Sequence, residues 1–127
     1  MRDQDSAIVR GLVSVAWADG VFEKKEGEML EAILDAYAAS DEERAALKAY
    51  ASAKRSLSDI ELQELSSDDR RLLLHHAVVL SYVDGSQSKE EAAFLKDLAK
   101  TLRIQEPEAS EIIITATQRA KAHLKLL

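Results

Sequence analysis

A shift of 65 residues brings the chain into register with itself, and this internal repeat constrains the fold more than any other feature. Under the shift, Leu12-Val13 falls on Ala77-Val78 and Trp17 on Tyr82. Asp19-Gly20 falls on Asp84-Gly85, and Glu26 on Glu91. Met29, Leu30, Ile33, Leu34 and Tyr37 fall on Phe94, Leu95, Leu98, Ala99 and Leu102. In each copy these apolar residues stand at +3, +4, +7, +8 and +11 from the glutamate, which is one face of an α-helix. Each copy, about 4–38 and 69–103, reads as an apolar helix, an Asp-Gly turn and an amphipathic helix with an acidic first turn. Neither hairpin buries its stripe alone, so the two are expected to pack on each other with approximate two-fold internal symmetry. Segments 41–66 and 107–127 complete and cover the bundle.

The rest of the chain supports helices. One proline and four glycines punctuate 127 residues rich in Ala, Leu, Glu and Lys. Ser40-Asp-Glu-Glu43, Ser58-Asp-Ile-Glu61 and Ser88-Lys-Glu-Glu91 fit the box in which Ser caps the third helical N–H and Glu reaches back. Ser67 before Asp68 and Asp69 supplies a cap and first-turn negative charge. Pro107 reads as the first position of the last helix. The expected helices lie near 4–18, 24–38, 41–53, 59–65, 68–83, 89–102 and 107–125. No window alternates with period 2, so no strand is expected. The fold class is all-α: a single-domain bundle of six to eight helices built on two pseudo-symmetric hairpins.

Composition narrows the function. Seventeen Lys and Arg against 23 Asp and Glu give a net charge of −6, with no basic excess to follow a phosphate backbone, so nucleic acid is not an expected partner. The absence of cysteine removes disulfides, thiolate chemistry and zinc–sulfur sites, and fits a reducing compartment. The start, Met1-Arg2-Asp3-Gln4-Asp5, does not read as a secretory signal. The apolar segment 72–83 is interrupted by His75, His76 and Ser81 and falls short of the roughly 20 residues a bilayer crossing needs. A cytoplasmic location without membrane insertion is expected.

The repeated Asp-Gly needs a reason. Glycine suits the position after a helix C-terminus because positive φ costs it nothing. Aspartate does not suit it, since the helix dipole disfavours negative charge there. Its carboxylate therefore has a partner. One candidate is the backbone N–H groups of the following loop. The other is a hard divalent cation, Ca²⁺, Mg²⁺ or Mn²⁺, shared with Glu26 or Glu91 on the next helix. The Ser88 box accounts for Glu91 as a cap, whereas Glu23 stands where a matching Ser would cap the first copy, so Glu26 is less fully explained.

The pieces VAWADGVFEKKEGEMLEAIL and LSYVDGSQSKEEAAFLKDLA resemble the two halves of a TerB-like domain, named for tellurite resistance. They are also similar to the N-terminal region of the DjlA-type, membrane-anchored J-domain co-chaperones. The resemblance spans essentially the whole chain, including the spacing of the two (A/V)-D-G-x5-E motifs, with Val83 where the first copy has Ala18. It implies an all-helical cytoplasmic domain linked to stress responses and membrane-associated complexes. It also implies acidic positions that bind divalent metal, which here are Asp19, Glu26, Asp84 and Glu91. The expected function is a non-enzymatic binding or scaffolding module in a stress-response complex. The alternatives are a divalent-metal-binding protein and, behind it, a metal-dependent enzyme of unrecognised type.

The remaining candidate residues carry weaker signals. His75 and His76 point about 100° apart on a helix and cannot chelate one ion as an i, i+4 pair does; one is expected at the core edge and one in solvent. His123 falls in the last helical turn, where an imidazolium suits the dipole. No H-E-x-x-H, G-x-S-x-G, P-loop or G-x-G-x-x-G is present, and the serines mostly occupy cap positions, so no catalytic set is nominated. Trp17 and Tyr82 are expected in the core at the bundle end. Ile112-Ile113-Ile114 is apolar round more than one face, which fits burial or cover by a second subunit or partner protein. Residues 23–43 hold eight acids, while 117–127 hold three bases and no acid.

Overall fold

The computed structural model describes residues 2–18, 24–82, 87 and 89–126, and the side chains of these except 18, 24–26 and 123–126. Among the described residues the protein is all-helical: α1 (Asp3–Ala18), α2 (Lys24–Ala36), α3 (Asp41–Ala51), α4 (Ser67–Ser81), α5 (Lys89–Thr101) and α6 (Glu108–Leu126). Two single-turn 3-10 helices, Leu57–Asp59 and Leu62–Glu64, join α3 to α4.

α1 and α4 form the centre. α1 is apolar nearly all round, and Ile8, Val9, Leu12 and Val13 are no more than 1% exposed, as expected of a helix enclosed by others. It packs on α2, α3, α4 and the 3-10 segment, while α4 packs on α1, α5 and most extensively on α6. Leu73, Leu74 and Val78 of α4 close the core against it, with Leu95 and Leu98 of α5, Leu102 just beyond it, and Leu30 and Leu34 of α2. The stripe predicted from the repeat is thus partly buried to completion. Leu30, Leu95 and Leu98 are fully buried, whereas Ile33 and Phe94 are half-buried against the core and Met29 is half-buried.

α2 and α5 match in the backbone. The bounds of α5 are those of α2 moved by 65 residues, and both helices end alike. Ala38 (φ 54°) and Arg103 (φ 60°) are left-handed. After α2, Ala39 N–H donates to Leu34 C=O (3.0 Å) and Ala38 N–H to Asp35 C=O (3.1 Å). After α5, Ile104 N–H donates to Ala99 C=O (3.0 Å) and Arg103 N–H to Lys100 C=O (2.9 Å). Both are Schellman motifs, in which the left-handed residue lets two N–H groups return to the last carbonyls.

The connection after α3 differs from the expected helix over 59–65. A helix would spread Leu57, Ile60, Leu62 and Leu65 around its circumference. Two 3-10 turns separated by extended residues instead bury Ile60 and Leu65 and half-bury Leu57 and Leu62 against the core. The expected Ser58–Glu61 box gives way to one at Ser56, whose N–H donates to Asp59 Oδ2 at 2.8 Å. Arg70 caps the segment by donating to the carbonyls of Leu62 (2.7 Å) and Leu65 (3.2 Å).

Helix starts follow the predicted chemistry with small shifts. The Ser40 box forms, with Glu43 N–H donating to Ser40 Oγ and Ser40 N–H to Glu43 Oε1. α4 begins one residue early: Ser66, not Ser67, is the cap, because Asp69 then stands three residues on and closes the box. Pro107 is not the first helical residue. Its carbonyl accepts the Glu111 N–H at 3.1 Å, which makes it the N-cap of α6. Ser88 lies outside the described residues.

Candidate functional site

Of the four predicted acidic positions, Asp19 and Asp84 lie outside the described residues. Glu26 is third in α2, with its side chain outside the description, and Glu91 is third in α5 and half-buried. The two glutamates therefore hold the same helical register, one turn into the helix that follows each Asp-Gly. Among the described residues no three acidic or histidine side chains converge on a point where an ion would sit. Glu91 is the one member of the set with a described side chain. His123, the remaining candidate by position, has its side chain outside the description.

The aromatic pair is placed as the repeat predicts, at the ends of α1 and α4. Tyr82 is buried. Trp17 is half-buried and donates its indole N–H to Ala51 C=O at 2.9 Å, tying α1 to the end of α3. Of the three isoleucines, Ile112 and Ile113 pack half-buried on the core and Ile114 is 56% exposed.

Two of the concavities among the described residues bear on function. The first, of about 430 Å³, lies between α2 and α3, with a floor of Leu30, Leu34 and Leu47 and a rim of Glu28, Glu31 and Lys48. An ion cluster holds the two helices across its side. Arg44 reaches Asp35 (2.6 Å) and Glu31 (3.1 Å), and Lys48 reaches Glu31 (3.4 Å). Hydrogen bonding to Asp35 raises the Arg44 pKa. The 65-residue shift explains the opening. Lys48 corresponds to Ile113, which turns onto the core, and Glu28 to Ala93. Lys48 thus puts a charge on the rim where the second copy turns an apolar side chain onto the core, while Glu28 and Ala93 are both exposed.

The second concavity, of about 500 Å³, lies between α4 and α6. α4 contributes Asp68, Arg71, Leu72, His75 and His76, and α6 contributes Glu111, Ile112, Thr115 and Arg119. At one end Arg71 pairs with Asp68 (2.8 Å) and Glu108 (3.1 Å). At the other sit the histidines, ring centroids 6.0 Å apart in a T-shaped contact. Both are half-buried, which corrects the expectation that one would face solvent; the broad α4–α6 contact covers both directions. Burial lowers both imidazole pKa values, helped by Arg119 for His75 and by His75 for His76. Reading the histidines in isolation missed this cleft. The signal was a matched pair of stripes: Asp68, Leu72, His75 and His76 at i, i+4, i+7 and i+8, and Glu111, Thr115 and Arg119 at i, i+4 and i+8.

Comparison of the chain with protein-family models, with curated proteins and with solved structures finds no match.

Proposed function

We propose that the protein is a non-enzymatic, TerB-like binding or scaffolding module that holds a protein partner within a stress-response complex. The observation that carries this reading is the α2–α3 groove. Its apolar floor and charged rim suit an amphipathic partner helix, which lays apolar side chains into such a groove and pairs its flanks with the rim. The corresponding place in the second copy holds Ala93 and Ile113 instead of Glu28 and Lys48, so the groove distinguishes two otherwise repeated halves. The likeness of both Asp-Gly hairpins to TerB-like domains supports the stress-related, membrane-associated setting.

The test uses the repeat as its own control. A photo-crosslinking amino acid is placed at exposed Glu28 or at its exposed equivalent Ala93, and adducts are compared in cells. A discrete protein adduct from position 28 that is absent from position 93 supports the reading. Equal adducts from both, or none from either, would remove it.

A second reading is favoured by the matched register of Glu26 and Glu91 after the two Asp-Gly turns. Here Asp19, Glu26, Asp84 and Glu91 hold Ca²⁺, Mg²⁺ or Mn²⁺ through hard oxygen ligands. Thermal melting with and without metal tests it.

A further inference from the structure

The α4–α6 cleft is chemically lopsided. At one end the cation Arg71 is already neutralised by Asp68 and Glu108, and Glu111 stands on the exposed rim. At the other end His75, His76, Thr115 and Arg119 line the wall. Every one of these side chains can donate a hydrogen bond: two imidazole N–H groups, a hydroxyl and a guanidinium. Among the described residues Arg119 makes no ion pair. Its positive charge is felt at His75, where it helps hold the imidazole neutral. Between the two ends lie Leu72, 39% exposed, and half-buried Ile112. An exposed leucine beside a cluster of unneutralised donors has the composition of a small-ligand site: apolar lining with a few convergent polar groups. At about 500 Å³ the cleft has the size of one too.

We propose that this cleft binds a small organic anion, with its carboxylate or phosphate on His75, His76, Thr115 and Arg119 and its apolar body on Leu72 and Ile112. The donor set selects the head group. A neutral hydroxyl or amide would make only ordinary hydrogen bonds to the wall, whereas an anion makes charge-assisted ones with exposed Arg119. The Arg71 end repels a second negative charge, since Asp68, Glu108 and Glu111 gather there, so the ligand carries its anion at one end only. This site is separate from the α2–α3 groove and does not depend on the scaffolding reading.

The experiment follows the imidazole resonances of His75 and His76 by NMR while titrating benzoate, phenyl phosphate or benzyl alcohol. Benzoate or phenyl phosphate shifts both residues saturably, and the tighter of the two identifies the head group. Benzyl alcohol, with the same body and no charge, binds about tenfold more weakly or worse. Arg119→Gln and Thr115→Val each weaken the anion severalfold while the melting temperature holds. Lys100→Gln, at an exposed position of α5, leaves binding unchanged. Absence of a saturable shift at millimolar anion, equal binding of benzyl alcohol, or an Arg119→Gln variant that binds as well as wild type would each overturn the proposal.

Discussion

A Cβ added at Gly11 would lie 2.7 Å from Leu73 Cδ2 and 3.3 Å from Cδ1, at the place where α1 meets α4. Leu73 is fully buried, so its methyls have no solvent to move into. A glycine inside a helix costs about 1 kcal/mol relative to alanine. Here that cost is offset by the closeness of the two central helices. Gly11→Ala should therefore destabilise by about 1–2 kcal/mol, the overpacking exceeding the propensity gain. Leu73→Ala should cost about 2–5 kcal/mol through the cavity it leaves. The double variant should cost clearly less than the sum, because the new methyl enters the space the leucine vacates. Urea denaturation of all four proteins closes the cycle, and strict additivity would show that the two residues do not meet.

The left-handed residues after α2 and α5 give a second prediction. Ala38 and Arg103 both carry a Cβ at positive φ, a conformation that costs an L-residue roughly 1–2 kcal/mol. Glycine relieves that strain but adds unfolded-state entropy. Ala38→Gly and Arg103→Gly should each stabilise by about 0.5–1 kcal/mol, and the pair should add, since the turns belong to different copies. Calorimetric melting measures this. A drop in melting temperature for either variant would mean that its side chain contributes a contact worth more than the strain.

These two relationships also mark what sequence could and could not provide. The 65-residue shift identified the helices, because α2 and α5 are bounded alike, and it placed Leu30, Leu95 and Leu98 in the core. It gave no sign that Ala38 and Arg103 would turn left-handed, since neither is Gly or Asn and the Schellman geometry is imposed by the chain that follows. The 3-10 segment was misread as a helix for a related reason. A Ser-x-x-Glu spacing is local, whereas the burial of Ile60 and Leu65 against α1 is set by packing. The cleft between α4 and α6 was hidden because its two stripes are 40 residues apart and each alone looks like an ordinary polar face.

The described titratable groups set the acid side of the stability curve. His75 and His76 have pKa values lowered by burial, so the folded state binds protons less readily than the unfolded chain. Their contribution is complete above the unfolded value of about 6.5 and is lost progressively as pH falls below it, until the folded values are passed. Asp5 acts lower on the scale. Burial alone pushes its carboxyl up, but the side-chain and backbone hydrogen bonds from Arg2 outweigh this and hold it below the ordinary value. Its contribution is present above the unfolded carboxylate value of about 3.9 and is lost as pH falls through the folded one. Melting temperature against pH should show two declines, one beginning near pH 6.5 and one near pH 4. His75→Gln with His76→Gln should flatten the first, and Asp5→Asn the second. A double histidine variant whose profile from pH 7 to 5 matches that of wild type would contradict the burial of the imidazoles.

The acidic turns supply the last prediction, which separates backbone capping from metal binding at Asp19 and Asp84. If the two carboxylates serve only their loops, Asn should replace them with little change, because its carbonyl accepts the same N–H groups. If they join Glu26 and Glu91 around a hard cation, Asn removes charge that the ion needs, and the effect appears only with metal present. A ligand at 100 times its dissociation constant adds about 2.7 kcal/mol to a folded state it alone binds, a shift readily seen by melting. Wild type should therefore melt higher in millimolar Ca²⁺, Mg²⁺ or Mn²⁺ than in chelator, and the Asp19→Asn, Asp84→Asn double variant should not. Equal melting in chelator and in every metal would assign both aspartates to their turns.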